Sequence, residues 1–270
     1  MDRYAVLGFP VSHSKSPLIH SRYAQQTGQA LSYEAIEIAP ADFTAALARL
    51  HAEGYRGFNV TLPHKLAALQ ACEQVSERAQ LAGAVNTLIR TETGWRGDNT
   101  DGEGFVTDLQ QNLGVRIAGR RVLLLGAGGA ARGLLKPLLD EKPGELVLSN
   151  RNPWKPEDLA TQFKAVGDIR PCTHAALKGD SFDLVINATS AGHSGVMPKM
   201  PEGLLAPGAV CYDLSYGKAF EPFAAWARAQ GAAQVHDGLG MLVEQAAVSF
   251  ALWRGQRPDT AALLAALRQG

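Results

Sequence analysis

A run of small residues is the first part of this sequence whose types and spacing point to chemistry. The predicted strand at residues 121–125 is followed by a G-x-G-x-x-A pattern that opens a predicted helix. The pattern consists of Gly126, Ala127, Gly128, Gly129, Ala130 and Ala131. Glycine lets the backbone approach a pyrophosphate, and a helix N-terminus offers free N–H groups to an anion. The segment predicts a dinucleotide-binding loop, although a plain strand-to-helix turn would also explain the glycines alone.

The end of the next predicted strand, residues 145–150, indicates which dinucleotide is bound. Folds that bind NAD usually place Asp or Glu here, where the carboxylate binds the ribose 2′-hydroxyl. This chain instead has Asn150 and Arg151, with Lys155 close behind and no carboxylate before Glu157. Because a guanidinium suits a 2′-phosphate, we expect NADP. The alternative is that Arg151 is merely an exposed residue at a strand end.

Three polar segments in the first hundred residues could form a second site. They are residues 8–17, residues 59–65, and residues 86–87 together with 97–102. The first contains serines before a predicted helix at 17–27, where Ser16 is expected to act as the cap and the serines could bind a carboxylate. Lys65 follows a strand and a proline turn, from which its side chain could reach a ligand. Taken singly, capping, a solvated lysine and turn chemistry explain each segment at least as well.

Charge and composition narrow the classes of protein. The 26 basic and 26 acidic residues cancel, so no net field favours nucleic acid or a membrane surface. We find no signal-peptide pattern, and no apolar run reaches the roughly 18 residues that a membrane span needs. The three cysteines stand far apart, as expected of reduced thiols, and no His or Cys cluster has metal-ligand spacing. We therefore expect a cytoplasmic protein that needs no metal.

The elements that must position these residues alternate along the chain. In the first hundred residues, strands are predicted at 4–8, 31–38, 57–61, 84–90 and 94–98, and helices at 17–27, 41–53 and 65–77. A helix at 102–113 then leads into strands at 121–125, 145–150, 184–187 and 209–213, with helices between them. This second series predicts a doubly wound parallel sheet. A helix at 239–254 and a short last helix follow, and Pro137 should kink or shorten the helix after the glycine loop.

In their order along the chain, these segments closely resemble the shikimate dehydrogenase family. The motifs are G-x-P-x-x-H-S-x-S-P from Gly8, N-V-T-x-P-x-K from Asn59, A-x-N-T from Ala84, G-x-N-T-D-G from Gly97, G-A-G-G-A-A-R-G from Gly126, and further motifs from Asn187, Tyr212 and Asp237. They cover nearly the whole length, so a chance match is negligible.

The resemblance implies a role for each of these side chains. The carboxylate-binding group would be Ser14, Ser16 and Tyr216; the ligands of ring hydroxyls would be Thr61, Asn86, Asp101 and Gln245; and the catalytic pair would be Lys65 and Asp101. The NADP site would comprise the glycine loop, Asn150, Arg151, Lys155 and Thr189, with Gly238 and Met241 near the nicotinamide. Asn152 and Glu221 stand where the family often has threonine, which weakens the expected preference for NADP and leaves catalysis untouched.

The family also implies a fold and a reaction. The fold is α/β with two domains: an N-terminal α/β substrate domain at residues 1–101 and 238–270, and a Rossmann-type doubly wound NADP-binding domain at residues 102–237. The reaction is the reversible NADPH-dependent reduction of 3-dehydroshikimate to shikimate, in the shikimate pathway of aromatic amino-acid biosynthesis. An enzyme that also takes quinate or NAD, and a non-catalytic NADP-binding sensor, remain alternatives. No nucleic acid or membrane partner is expected, and a monomer and a homodimer fit equally well.

Overall fold

The structure is a computed structural model that describes residues 1–269, apart from the side chain of His193. It divides into two compact units. The first unit joins Met1–Gly104 to Leu242–Gly270, and the second unit is Phe105–Met241. Among the described residues, no helix is both long enough and apolar enough to cross a membrane.

Strands and helices alternate along most of the chain. The strands are β1 (Asp2–Gly8), β2 (Leu31–Glu37), β3 (Gly57–Val60), β4 (Gln74–Val75), β5 (Thr87–Arg90), β6 (Trp95–Asp98), β7 (Arg121–Leu125), β8 (Glu145–Asn150), β9 (Arg170–Thr173), β10 (Phe182–Asn187), β11 (Leu205–Asp213) and β12 (Gln234–His236). The helices are α1 (Ser16–Thr27), α2 (Phe43–Ala52), α3 (Lys65–Gln70), α4 (Glu77–Ala82), α5 (Asp101–Thr107), α6 (Gly129–Asp140), α7 (Trp154–Gln162), α8 (Glu221–Ala229), α9 (Leu239–Arg254) and α10 (Ala261–Gln269).

The first unit contains a sheet in the strand order β2-β1-β3-β5-β6-β4. β1 pairs in parallel with β2 and β3, whereas β5 is antiparallel to β3 and β6. Leu7 of β1 and Phe58 of β3 pack with Phe43 and Leu50 of α2 in one buried apolar cluster. Because β1 and β3 are parallel neighbours, their carboxyl ends lie side by side, and the polar segments that follow them start from the same edge of the sheet.

The second unit contains a wholly parallel sheet in the order β12-β11-β10-β7-β8-β9. Residues 122–125 of the central strand β7 have no exposed surface, which is typical of a parallel strand covered by helices on both faces. The two halves of the sheet meet between β7 and β10. In doubly wound sheets this switch point is where ligands bind, beyond the carboxyl ends of the strands.

The predicted helix at 65–77 is wrong. α3 ends at Gln70, and α4 begins at Glu77. Between them β4 pairs with β6, and the N–H of Ser76 donates to the carbonyl of Gly97 (3.0 Å). Pairing with a neighbouring strand thus overrides a locally helical pattern, and the Ser76 hydroxyl then caps α4 by accepting from the N–H of Ala79.

Two smaller expectations concern helix ends, and the first of them is wrong. Ser16 is not the cap of α1 but its first residue; Lys15 occupies the cap position and makes no side-chain capping bond. Pro137 does not shorten α6, which runs unbroken from Gly129 to Asp140. The edge strands β9 and β12 were not predicted, because both are short and depend on pairing with one inner neighbour.

Candidate active site

Lys65 and Asp101 form an ion pair in the first unit. Lys65 is the first residue of α3, and Asp101 is the first residue of α5. The Nζ atom of Lys65 lies 2.5 Å from Oδ2 of Asp101, and both side chains remain partly exposed. The backbone N–H of Asp101 donates to Oδ1 of Asn99 (3.0 Å), which fixes the start of α5. The structure thus brings together the two residues predicted to be the catalytic pair.

Asn86 lies behind this pair and is almost fully buried. Its Nδ2 donates to Oδ1 of Asp101 (2.8 Å) and to Oγ1 of Thr100 (2.9 Å). Its Oδ1 accepts from the backbone N–H of Thr100 (2.9 Å) and from Oγ1 of Thr87 (2.8 Å). The groups on one side of the Asn86 amide are acceptors and those on the other side are donors. The amide nitrogen must therefore face the Asp101 carboxylate. Asn86 therefore holds the Asp101 carboxylate in place.

α9 contributes Gln245 to the same cluster. The Oε1 of Gln245 accepts a long hydrogen bond from Nδ2 of Asn86 (3.3 Å), and its Nε2 donates to the carbonyl of Leu242 (2.8 Å). Gly104 of α5 packs so closely here that a Cβ atom on it would lie 2.5 Å from the backbone nitrogen of Gln245. The absence of a side chain at Gly104 lets α5 and α9 approach each other.

Ser249 supports this cluster and was not predicted from the sequence. Its Oγ is fully buried, donates to the carbonyl of Gln245 (3.0 Å) and accepts from Nδ2 of Asn59 (3.0 Å). It also lies 2.8 Å from Oγ1 of Thr87. The carboxamide oxygen of Asn59 in turn accepts from the hydroxyl of Tyr33 (2.7 Å). The available signal for Ser249 was its position one helical turn after Gln245.

The remaining predicted ligands of the first unit follow β1 and β3 in the chain. Oγ of Ser14 accepts from the N–H of Ser16 (3.2 Å), and Ser16 is buried. The backbone N–H of Thr61 donates to the carbonyl of Leu7 (2.9 Å). A Cβ atom at Gly8 would lie 2.6 Å from the methyl of Thr61, so the two segments can meet only because residue 8 is glycine.

Tyr216 belongs to the second unit, where it follows β11. It is half-buried, and burial raises the pKa of its hydroxyl above the ordinary value. Ser14 and Ser16 belong to the other unit. Joint binding of a carboxylate by these three residues therefore stays a prediction.

The glycine loop follows β7 in the second unit. Gly126 has a φ of 101°, and a Cβ atom there would lie 3.0 Å from the carbonyl oxygen of Ala188, so the position requires glycine. α6 then begins without a side-chain cap and without an acidic residue in its first turn. A Cβ atom at Gly128 or Gly129 would meet no atom within 4 Å, so open space lies over the loop. An uncapped helix N-terminus beneath open space suits an anion.

Two exposed cations follow β8. Arg151 comes directly after Asn150, whose Nδ2 donates to the carbonyl of Asn152 (3.3 Å). Within the part of the chain that the structure describes, neither Arg151 nor Lys155 forms an ion pair. The Nζ of Lys155 lies 5.5 Å from the centre of the Trp154 ring. Both cations are thus available to a phosphate.

Other predicted cofactor ligands lie at the ends of neighbouring strands. Thr189 follows β10, and its Oγ1 donates to Oδ1 of Asn187 (2.7 Å). Gly238 follows β12, where a Cβ atom would lie 2.1 Å from the carbonyl oxygen of Leu214, so no larger residue fits. Met241 lies half-buried in the first turn of α9. Thr189, Gly238 and Met241 all belong to the second unit, which also contains the glycine loop.

The second unit fits NADP on these observations. The glycine loop has room for a pyrophosphate. After β8, where NAD-binding folds usually have Asp or Glu, this chain has the exposed cations Arg151 and Lys155. Among the described residues, no group of three His, Cys, Asp or Glu side chains could hold a metal ion. The doubly wound sheet, this loop and the lysine–carboxylate pair of the first unit define an NADP-dependent oxidoreductase.

Known families match most of the chain. Residues 6–88 match the shikimate dehydrogenase substrate binding domain, residues 108–222 match shikimate / quinate 5-dehydrogenase, and residues 238–268 match the shikimate 5′-dehydrogenase C-terminal domain. The chain therefore belongs to the shikimate dehydrogenase family, and the resemblance noted in its motifs is confirmed.

Individual relatives agree with this assignment. A shikimate dehydrogenase (NADP(+)) of Alkalilimnicola ehrlichii is 51% identical over 267 residues, which cover 99% of this chain and 98% of the relative. The crystal structure of an Ael1 enzyme from Pseudomonas putida superposes with a TM-score of 0.93 at 47% identity, covering 99% of this chain and 98% of that one. The shikimate 5-dehydrogenase of Thermus thermophilus, solved in complex with NADP(H) and shikimate, has a TM-score of 0.85 at 34% identity, covering 100% and 99%. The predicted α/β fold, with a substrate domain and a Rossmann-type NADP-binding domain, is confirmed.

Proposed function

We propose that the chain catalyses the reversible reduction of 3-dehydroshikimate to shikimate through the Lys65–Asp101 pair. As a member of its family it is an NADP-dependent oxidoreductase of the shikimate pathway. The observation that carries the proposal is the 2.5 Å contact between Nζ of Lys65 and Asp101, whose carboxylate Asn86 holds from behind. An ammonium group aimed by a fixed carboxylate suits a carbonyl oxygen that becomes a hydroxyl.

In the proposed complex, the substrate is bound by the polar side chains that the family resemblance assigns to it. The carboxylate is bound by Ser14, Ser16 and Tyr216, and the ring hydroxyls are bound by Thr61, Asn86, Asp101 and Gln245. Hydroxyl and amide groups can donate as well as accept, as the hydroxyls of the ring require. Several such bonds orient the ring before the reaction and place one carbon–oxygen group at Lys65, which lowers the entropic part of the barrier.

Lys65 is the proton donor in the reduction and the proton acceptor in the oxidation. NADPH, when bound, supplies the hydride. Nζ of Lys65 donates a hydrogen bond to the carbonyl oxygen, on which negative charge develops during reduction, and then gives that oxygen a proton. In the oxidation direction the neutral amine takes the hydroxyl proton back. Asp101 accepts from Nζ and so keeps the lysine aimed, while the partly exposed position lets the amine exchange protons with water.

The second unit holds the cofactor in this proposal. Residues 126–130 bind the pyrophosphate at the N-terminus of α6, and Asn150, Arg151 and Lys155 bind the phosphorylated adenosine ribose. Thr189, Gly238 and Met241 contact the rest of the dinucleotide, the last two beside the nicotinamide. Support comes from the open space over the loop and from the exposure of Arg151.

The setting of the enzyme is also proposed. It acts in the cytoplasm, as a monomer or a homodimer, on a small-molecule substrate and without nucleic acid or a membrane. The equal numbers of basic and acidic residues support the absence of a nucleic-acid or membrane partner. Its two domains are proposed as residues 1–101 with 238–270, and residues 102–237; the compact units of the structure divide a few residues later, after Gly104 and after Met241. Sedimentation of the purified chain measures the state of assembly.

An absorbance assay at the nicotinamide band tests the function. The purified chain is mixed with shikimate or quinate, and with NADP⁺ or NAD⁺. We expect rapid turnover with shikimate and NADP⁺, and much slower turnover in the other three mixtures. Preferred turnover of quinate would replace shikimate as the substrate. No turnover in any mixture, together with binding of NADP, would favour the sensor and end the proposal.

A further inference from the structure

The guanidinium of Arg78, in α4, makes three hydrogen bonds to two carboxylates of the first unit. Nε donates to Oδ1 of Asp98 (2.6 Å), and Nη2 donates to Oδ2 of the same carboxylate (3.1 Å). Nη1 donates to Oε2 of Glu103 (2.5 Å). Such a forked contact needs the rigid, planar set of donors that arginine has and lysine lacks.

The two carboxylates stand on either side of Asp101 in the sequence. Asp98 is the last residue of β6, and Glu103 lies in the first turn of α5. Between them, Asn99 and Thr100 connect β6 to α5, whose first residues are Asp101 and Gly102. One arginine side chain therefore ties together both ends of the segment that carries the Asp101 carboxylate.

Arg78 helps to keep the Asp98 carboxylate charged. Its carboxylate is buried and also accepts from Oγ of Ser76 (2.7 Å) and from the N–H of Asn99 (2.7 Å). Burial alone would raise the pKa of the Asp98 carboxyl, but hydrogen bonds from Arg78 and Ser76 lower it below its ordinary value. A buried carboxylate that loses its cation must bind a proton or move. Either change would disturb Asn99, at the start of the segment.

Glu103 has a second, weaker partner. Nη1 of Arg257 donates to Oε1 of Glu103 (3.2 Å), and both side chains of this pair are about two-fifths exposed, at 40% and 42%. Pairs this exposed contribute little. Arg78 is one-third exposed, at 33%, and Asp98 is 11% exposed, so the stronger restraint on the segment comes from Arg78.

We propose that Arg78 is a positioning residue for the reaction: it holds residues 98–103 so that the carboxylate of Asp101 meets Nζ of Lys65. The proposal rests on the proposed function of the Lys65–Asp101 pair. Arg78 acts through Asp98 and Glu103, to which its hydrogen bonds go. Displacing a reacting group by about 1 Å can cost about 100-fold in rate, so a loosened segment should be visible in kcat.

Steady-state kinetics of Arg78→Gln and Arg78→Lys test the proposal. The glutamine variant should lose at least about tenfold in kcat for shikimate, and the lysine variant should lose less because it keeps the charge. KM for NADP should stay within about twofold of the parent value, since the cofactor ligands are in the other unit. Arg254→Gln is the matched control: it breaks an ion pair with Asp2 in the same unit and should keep the parent's kcat. A kcat within twofold of the parent in Arg78→Gln would overturn the proposal.

Amide hydrogen exchange of the ligand-free proteins supplies a second measurement that does not depend on turnover. In Arg78→Gln, exchange should accelerate at residues 99–104, where the N–H groups of Asp101 and Gly104 are hydrogen-bonded, and remain unchanged elsewhere. Equal acceleration throughout the first unit would make Arg78 merely structural. If the parent itself does not turn over shikimate, the proposed function fails, and the local exchange still decides whether Arg78 holds the segment. If Arg78→Gln does not fold, Arg78→Lys carries both measurements.

Discussion

At the scale of single residues, Lys65 and Asp101 are paired but not sealed from water. Their side chains are 28% and 20% exposed, and partly exposed ion pairs contribute only about 0–1 kcal/mol to stability. A buried set of amides and hydroxyls nevertheless fixes the carboxylate through Asn86. The ion pair thus adds little to stability, yet the position of the Asp101 carboxylate is fixed. A fixed position is what a reacting group needs.

Replacing Lys65 with alanine should lower kcat for shikimate by about 10²–10⁴-fold, which is the usual contribution of a positioned general acid or base. KM for shikimate should change little, because the lysine acts mainly in the transition state. Steady-state kinetics measures both constants. Lys164→Ala, at an exposed position of the second unit, is the control and should behave as the parent does. A Lys65→Ala enzyme with near-normal kcat would remove Lys65 from the mechanism.

Arg151→Ala should raise KM for NADP by about 10–100-fold, since a hydrogen bond to a charged group contributes roughly 1.5–3 kcal/mol. KM for NAD, which lacks the 2′-phosphate, should hardly change, and neither should KM for shikimate. Kinetics with both cofactors measures the difference, and Arg228→Ala, at an exposed position of α8, is the control. A parent enzyme that uses NAD and NADP equally well would contradict the assigned role of Arg151.

Residues whose role depends on their neighbours in the sequence could be predicted from the sequence. Gly126 is recognisable because a strand precedes it and a helix follows, and the loop has the geometry that this context implies. Ser249 and Arg78 were missed because their contacts are not local: Ser249 meets Asn59 across 190 residues of sequence, and Arg78 meets Asp98 and Glu103 on other elements. A single sequence contains no signal that shows which distant residues will form a hydrogen bond in the folded chain.

At the scale of elements, packing holds α6 in place despite the proline inside it. Leu134, Leu135 and Leu138 have no exposed surface. Burying a leucine contributes roughly 1.5–3 kcal/mol, whereas a proline in a helix interior costs about 3 kcal/mol. Three buried leucines therefore outweigh Pro137. The N-terminus of the helix stays fixed beneath the glycine loop, where the proposed pyrophosphate site needs it.

Gly128→Ala should weaken NADP binding without weakening the fold. No atom lies within 4 Å of a Cβ at Gly128, and its φ of −95° suits alanine. The free energy of unfolding should therefore change by less than about 0.5 kcal/mol. The added methyl would occupy the space into which the pyrophosphate is proposed to fit, so Kd for NADP should rise at least about tenfold. Titration calorimetry and urea unfolding measure the two effects.

A second glycine of the same unit gives the opposite pattern. Gly114 also has open space around it, but its φ is 66°. Gly114→Ala should lower the free energy of unfolding by about 1–2 kcal/mol, because alanine is strained in the left-handed region. It should leave Kd for NADP unchanged. An unchanged Kd in Gly128→Ala as well would separate the glycine loop from pyrophosphate binding.

The order of the elements could be predicted, but their shortest members could not. Strand and helix periods are local signals, and they gave the α/β plan and the strands β7, β8, β10 and β11 of the second sheet. β4 has two residues and β12 has three, too few for any period. Each exists because a neighbour, β6 or β11, offers a partner. Such strands are decided by tertiary pairing rather than by their own residues.

At the scale of the whole molecule, one buried histidine makes stability depend on pH. His20 is fully buried, and among the residues that the structure describes neither of its ring nitrogens has a hydrogen-bond partner. Its ring stacks on Tyr33 with 4.3 Å between the ring centres. Burial lowers the pKa of His20 to about 3, whereas a histidine of an unfolded chain titrates near 6.5. As the pH falls, the unfolded state therefore binds the proton first.

The free energy of unfolding should fall as the pH is lowered from about 6.5 towards 4.5, by up to about 1.4 kcal/mol per pH unit from His20. Above this window His20 is neutral in both states and its contribution is constant. His20→Phe keeps a stacked ring and removes the titrating group, so its slope should be shallower. Urea unfolding at several pH values in this window measures how steeply the free energy of unfolding changes in the parent and in His20→Phe. Near pH 8, where His20 is neutral in both states, the difference between the two proteins reports only the effect of the new ring. Parallel curves would contradict the assignment.

The path of the chain through the two units has a consequence for synthesis. The first unit is completed only by the segment from Leu242 onward, which follows the whole of the second unit. On a ribosome, Asn59 and Asn86 are made before the second unit, whereas their partners Ser249 and Gln245 are made only after it. The second unit is continuous and can fold as it emerges. A nascent chain interrupted just after Met241 should therefore contain the whole second unit, while its first unit still lacks the helical segment that carries Gln245 and Ser249.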